Sequence, residues 1–348
     1  MMNNTRNIAL PIFSHLDSKP MKPSFHFRLA TALLAGCLWS LPTYAADTKY
    51  PEKPVTIIVP YGAGGVADVL PRMVGQRLGE KWNVPVIIEN KPGASGNIGM
   101  AQAARAKPDG YTLALAPTGN LTTNPTLYRQ LPFDTAKDFT PVTLLGMSPN
   151  VLVVNSQVKA NTLAELVAYA KANPDQLNYS SPGAGSGAHL AGELLKQETG
   201  AAIVHIPYNG MAQAVNDVIA GNVHLMFAGV STVLPQIKAG KLKAIAVAGP
   251  DRLPQLPDLP TVAESGYPGF DVTSWYGIVA PSKVPAPILD KLQRDIAEIL
   301  KEDSIKEKFM GLGVVATPTT RDEFAKLIAS DTKKWTDIIK TAGIEPIQ

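Results

Sequence analysis

One local pattern recurs along this chain: a short apolar run, a turn of small residues, then a helical stretch. Val55-Thr56-Ile57-Ile58-Val59 reads as a strand and leads through a glycine turn into a helix over about residues 68–82. Residues 86–89 form the next strand, followed by another glycine turn and a helix through Met100 and Ala104. Residues 112–116 are the third strand. Strands that are apolar along their length are buried on both faces, and the β-α-β-α-β order supplies helices to cover them. The expectation is an α/β protein with a parallel sheet.

A second series starts at residues 151–154. Thr162-Leu163-Ala164-Glu165 is a capping box, with Leu163, Leu166 and Val167 on one helical face, and Asn173-Pro174 ends that helix. Strand 177–180, helix 189–198, strand 203–206, helix 211–220 and strands 224–227 and 242–248 follow. Helix 285–300 carries Leu289, Leu292, Ile296 and Ile299, and Thr320-Arg321-Asp322-Glu323 opens the last helix. A chain of 348 residues is long enough for two α/β domains. Two sheets with a returning C-terminal segment imply two lobes and two crossovers, near residues 144–150 and 273–278. One lobe then takes residues 50–147 and 277–348, and the other takes 148–276. A cleft between such lobes is a common ligand site.

The N-terminal 1–45 segment reads as an export signal. Lys22 and Arg28 precede an apolar run over residues 29–41, Pro42 breaks it, and Thr43-Tyr44-Ala45 is a small-x-small cleavage site. Pro11, Asp17 and Pro20 do not fit such a signal, so Met21 is the expected start. Leu34-Ala35-Gly36-Cys37 is a competing lipobox. The apolar run continues past Cys37 and a cleavage site follows, which favours a soluble periplasmic protein over a lipid-anchored one. Export points to solute capture and away from chemistry that needs NAD or ATP.

Of 32 basic and 29 acidic residues, Arg6, Lys19, Lys22, Arg28 and Asp17 lie in the first 45. The remainder is balanced in charge, so no nucleic-acid surface is implied. Cys37 is the single cysteine, and cleavage at Ala45 would remove it. His189, His205 and His224 are not at zinc-motif spacing. No metal and no cofactor are expected.

Chemistry is concentrated in turns at residues 61–68, 92–97, 117–120 and 181–187, each following a strand. Glycine lets a backbone approach a ligand closely, and a helix N-terminus favours negative charge. These turns contain no Arg or Lys. They read either as carboxylate or phosphate sites, or as simple tight connections. Gly62-x-Gly64-x-x-Ala67 also fits a dinucleotide fingerprint, with Glu89 near the ribose position. That leaves an exported nucleotide-dependent enzyme as the alternative. Ser186 and His189 are three apart at a helix start, which suits a shared ligand or a cap better than a nucleophile and base. His205 and His224 read as core or strand-end histidines. Trp275 and Tyr276 fit core packing and ligand stacking equally.

Motifs in register along nearly the whole mature chain resemble the Bug (TctC-like) solute receptors of tripartite tricarboxylate transporters. They include Pro54 to Pro60 with Gly64, Gly65 and Asp68; Glu89-Asn90-Lys91-Pro92-Gly93-Ala94-Ser95-Gly96-Asn97; Pro108-Asp109-Gly110-Tyr111-Thr112; His189-Leu190-Ala191-Gly192-Glu193; His205-Ile206-Pro207-Tyr208; and Trp275-Tyr276-Gly277. The resemblance implies a type II periplasmic-binding-protein fold and a monomer that is not an enzyme. It implies capture of a small organic carboxylate and delivery to inner-membrane permease subunits, or presentation to a sensor kinase. It places the ligand against Tyr61, Ala63, Gly64, Gly65, Asp68, Thr118, Gly119 and Asn120 in one lobe. Ser181, Gly185, Ser186, His189, Tyr208, Asn209, Ala228 and Gly229 face it from the other, with Tyr276 at the crossover. Phe227 is commonly followed by Asp-Asn in the family, and here by Ala228-Gly229. The glycine-rich turn has Ala184 and Gly187 where the family often carries Asn and Ser. These departures argue against an amino-acid ligand and for an aromatic or extended dicarboxylate.

Overall fold

The strands of the computed structural model, which describes residues 49–347, fall into two sheets. The export segment and Cys37 lie outside the described residues. In the first sheet, β1 (Val55–Val59) lies between β2 (Val86–Asn90) and β3 (Thr112–Pro117) and runs parallel to both. β10 (Ser274–Pro281) pairs antiparallel with β3, β4 (Phe139–Ser148) antiparallel with β10, and β11 (Val315–Ala316) antiparallel with β4. The sheet is therefore mixed where the strand–helix alternation predicted a parallel one. The reason is topological: β4 carries the chain out of this sheet and β10 brings it back, so the two run in opposite directions.

The second sheet has the order β7-β6-β8-β5-β9. β6 (Leu177–Ser181) is parallel to β7 (Ile203–Pro207) and β8 (Leu225–Gly229). β5 (Asn150–Asn155) is antiparallel to β8 and to β9 (Leu242–Val247). Pro149 alone separates β4 from β5. The two passages between sheets run side by side: Asn150 Nδ2 donates to Val272 O at 2.6 Å, and Val272 N donates to Ala248 O at 2.9 Å.

Helices cover both sheets. α1 (Val66–Trp82) starts from Gly65, whose backbone is extended and which offers no capping side chain. α2 (Asn97–Ala104) follows β2, and the short α3 (Thr118–Thr122) and α4 (Asn124–Leu127) follow β3. In the second sheet's series, α5 (Leu163–Ala172) is capped by Thr162, as its sequence predicted, and α6 (Gly187–Thr199) by Ser186. α7 (Met211–Ala220) and α8 (Val230–Lys238) complete that series. α9 (Ala286–Leu300) and α10 (Asp303–Gly311) precede α11 (Arg321–Thr341), which opens on the Thr320–Glu323 capping box.

α11 belongs to both halves. Phe324, near its start, packs with Ile58, Ala116 and Trp275 behind the first sheet. Trp335, Ile338 and Ile339, near its end, pack with Leu190, Val272 and Leu127 beside the second. Gly277 permits the first contact, because a Cβ there would lie 2.1 Å from Phe324 Cζ.

Candidate functional site

The strand-to-helix turns of the two sheets border a cavity of about 770 Å³. Tyr61, Gly62, Gly65, Ser95, Thr118 and Gly119 line it from the first sheet's side. Residues 182–187 line it from the second, and 272–276 from the returning crossover. No Asp, Glu, Lys, Arg or His is among its lining residues. Charge at this surface therefore comes from backbone dipoles, and the first-turn N–H groups of α1 and α6 are the nearest concentration of them.

Seven of the expected site residues come together on this wall: Tyr61, Gly65, Thr118, Gly119, Gly185, Ser186 and Tyr276. The others do not line it. Ala63 and Gly64 share the first turn but lie off the wall. Asp68 and Asn120 are buried behind it. Ser181 and His189 are buried beneath the turn at residues 181–187. Tyr208 turns its hydroxyl to Asp217 at 2.6 Å, and Asn209 is exposed. Ala228 is 1% exposed and packs with Val151, Met226 and Val230 in a core of the second sheet. A carboxylate of a cleft ligand has no access to that position, so the selectivity argument built on Ala228 and Gly229 loses its geometry.

The first turn is held by a charge that does not reach the cavity. Asp68 Oδ2 accepts from Gly64 N at 2.9 Å, and its carboxylate also accepts from Arg72 Nε at 3.0 Å and Asn90 Nδ2 at 2.8 Å. Asn90 Nδ2 donates in addition to Tyr61 O at 3.0 Å. The hydrogen bond from Arg72 is the main reason the Asp68 carboxyl is held down at about 2. Asp68 is thus an ionised clamp on the glycine turn. Its partner Arg72 is half exposed and points to Asn90.

The other first-sheet turns are tied in similarly. Tyr61 donates its hydroxyl to Asn120 Oδ1 at 3.0 Å, and Asn120 Nδ2 donates to Ser95 O at 2.9 Å. Burial pushes the Tyr61 phenol up to about 12, so it remains a donor at neutral pH. Gly96 has φ +89°, and a Cβ there would lie 2.7 Å from Asn120 Nδ2, so the close approach of these turns requires glycine. Thr118 Oγ1 donates to Trp275 O at 3.1 Å and accepts from Trp275 N at 2.7 Å, which fixes the third turn to the crossover strand. Trp275 is itself core: it is 1% exposed, its Nε1 donates to Asp331 at 2.7 Å, and it stacks edge-on against Phe324. Tyr276 faces the cavity.

Several wall residues carried no signal in the sequence. Thr123, Asn124, Leu127 and Tyr128 reach the cavity because α3 and α4 fold the chain back along it. Trp335 reads as one more apolar position of a helix, yet α11 brings it to the wall. Ile347 arrives by pairing with the end of α4: its N–H donates to Leu127 O at 2.6 Å, and Arg129 N donates to Ile347 O. Leu127, Tyr128, Leu190, Trp335 and Ile347 add apolar surface to the cavity, and Leu127 lies against Gly185 of the 181–187 turn. Glu89, the expected ribose partner of a dinucleotide, pairs with Lys91 and lies off the wall.

Known proteins share this architecture along nearly the whole chain. The model of the tripartite tricarboxylate transporter family receptor (TctC) matches residues 70–344. Protein BugT of Bordetella pertussis is 35% identical over 300 residues, 86% of this chain and 92% of that protein. Among solved structures, one titled R. palustris Rpa4515 with adipate superposes with a TM-score of 0.74 at 34% identity, covering 86% of this chain and all of the other. MatC from Rhodopseudomonas palustris with bound malate superposes at 0.69 with 30% identity, covering 83% and 100%. The fold is that of these binding proteins, and the chain belongs to the tripartite tricarboxylate transporter receptor (TctC) family, whose members are solute receptors.

Proposed function

We propose that this receptor works in the periplasm, captures an extended dicarboxylate and delivers it to inner-membrane permease subunits without transforming it. One observation carries the reading: a 770 Å³ cavity lined by backbone turns and apolar side chains, with no charged side chain among the lining residues. Such a wall suits an anion whose charge is met by peptide N–H groups and whose body is apolar. One carboxylate sits against Tyr61, Gly65, Thr118 and Gly119, with Gly185 and Ser186 opposite. The ligand body extends toward Leu127, Tyr128, Leu190 and Trp335. The two neighbours that hold adipate and malate support the carboxylate class. A division into lobes 50–147 with 277–348 and 148–276 would place this cavity between them, and the two sheets with side-by-side passages are consistent with capture by closure. The placement of Glu89 away from the wall counts against a nucleotide enzyme.

Calorimetry on the purified mature protein tests this, with adipate, malate, an aromatic dicarboxylate, glutamate and NAD as titrants. The dicarboxylates are expected to bind, and glutamate to bind more weakly. Binding of NAD with no response to any carboxylate would overturn the receptor reading for this cleft.

A further inference from the structure

Two histidines sit face to face beneath the cavity-lining turn of the second sheet. The rings of His189, on α6, and His205, on β7, are 3.8 Å apart with 12° between their planes. Tyr179, on β6, lies against His205 at 4.9 Å. The stack is bonded to the turn above it at two points. Gly185 N donates to His189 Nδ1 at 2.9 Å, and Ser181 Oγ lies 2.7 Å from His205 Nε2. Ser181 Oγ also lies 2.9 Å from Gly183 O and accepts from Gly183 N at 3.2 Å, so the serine bridges the His205 ring to the turn. Gly183 and Gly185 have φ of +142° and +74°, conformations the turn holds only with glycine. Both residues line the cavity.

The Gly185 contact requires a neutral His189 ring. His189 Nδ1 accepts a hydrogen bond, so its lone pair must be free. A proton there would set two N–H groups against each other across 2.9 Å. Two imidazolium rings at 3.8 Å would repel, and His189 lies in the first turn of α6, where the helix dipole disfavours a cation. The charged groups facing the stack are Glu193, 3.9 Å from His189 Nε2, and Lys196, which pairs with Glu193 at 2.9 Å. Glu193 also accepts from the Tyr179 hydroxyl at 2.7 Å. Its charge is therefore shared between Tyr179 and Lys196 and is poorly placed to hold a proton on His189. Burial lowers the affinity of both rings for a proton, and that of His205 falls to about 4.

We infer that the His189–His205 stack is the positioning element of the turn at residues 181–187, and that it shapes the second lobe's face of the cleft only while His189 is neutral. The consequence rests on the receptor reading above: acidification should loosen the turn and release ligand. An imidazolium acting as counter-charge to the carboxylate would do the opposite and tighten binding as pH falls, so the sign of the effect separates the two roles.

The experiment has two arms. In the first, ligand-free protein is titrated by NMR from about pH 7.5 to about 4, a range that extends below the usual histidine transition because burial lowers both rings, while circular dichroism confirms the fold. The Gly185 amide is expected to shift with the same midpoint as the His189 imidazole signal. An amide that ignores that imidazole overturns the inference. In the second arm, adipate affinity is compared between wild type and His189→Gln, which keeps an acceptor near Gly185 but cannot take up a proton. Dividing the two dissociation constants at each pH cancels protonation of adipate itself. Wild type should weaken relative to the variant by about five- to tenfold over that range. A constant ratio, or a wild type that tightens relative to the variant, overturns the inference. If adipate and the other carboxylates do not bind wild type at all, the receptor reading fails in the second arm, and the first arm still decides whether the stack holds the turn.

Discussion

Glycines and one buried acid define the binding wall at the scale of single residues. Gly65 has φ −81° and ψ 170°, which any residue adopts, and nothing lies within 4 Å of a Cβ built on it. Gly65→Val should therefore fold normally and fill the space where a carboxylate meets the turn. Calorimetry is expected to show a loss of tenfold or more, about 1.4 kcal/mol, with an unchanged unfolding transition. Unchanged affinity in the folded variant would remove the first turn from the site. Asp68 acts differently. Its carboxylate answers Gly64, Arg72 and Asn90 from behind the wall. Asp68→Ala leaves these donors without their acceptor and should cost about 1–3 kcal/mol in denaturant unfolding, together with a loss of affinity. The pH dependence follows from the sign of its shift. The folded pKa of about 2 lies below the ordinary 3.8, so the unfolded chain takes up this proton first. The stabilisation from Asp68 is complete above about pH 4 and is lost as pH falls toward 2. Wild type and Asp68→Ala should thus converge in stability at the acid end. Parallel curves down to that end would show that Asp68 is not a charged clamp.

At the scale of elements, α11 has the most consequence for the site. It starts in the first sheet's core at Phe324 and ends beside the second at Trp335, Ile338 and Ile339. Its position is set where Phe324 crosses β10 at Gly277, with no space for a methyl group. Gly277→Ala must displace Phe324 or bend β10, and overpacking of this kind costs about 1–3 kcal/mol. Because Tyr276 and Trp335 both line the cavity, the same change should weaken ligand binding although Gly277 itself is off the wall. Equilibrium unfolding and calorimetry on the one variant check both effects. A variant with lower stability and wild-type affinity would show that α11 supports the fold without shaping the cleft.

For the whole molecule, two sheets are joined by passages that run side by side, the arrangement that a hinge between them would need. The cleft wall is drawn from both sides of it, so a ligand that satisfies both should hold the halves together. Saturating dicarboxylate is expected to reduce the radius of gyration in small-angle scattering. It should also stabilise the protein against unfolding by about 2.7 kcal/mol at a hundredfold excess over Kd. Stabilisation without compaction would mean that this structure already has the bound arrangement.

Local sequence determined the elements and the kind of site. The strand at Val55–Val59, the helix at Met211–Ala220, the Thr162 N-cap and the capping box at Thr320 are legible because periodicity and caps depend on neighbouring residues, although Glu165 reaches Asn161 N rather than closing a box at Thr162. Small residues after strands likewise marked the turns that now border the cavity, and the order of motifs marked the family. Tertiary structure decided which of those residues face the ligand. Asp68, Asn120 and His189 stand in turn motifs and are spent on holding the turns. Ala228 is at a strand end and buried in a core, whereas Trp335 and Ile347 reach the wall from far along the chain. The direction of β4 and β10 was hidden for the same reason. Pairing between distant segments depends on how the whole chain closes its two cores, and no local pattern in a strand records which neighbour it will meet.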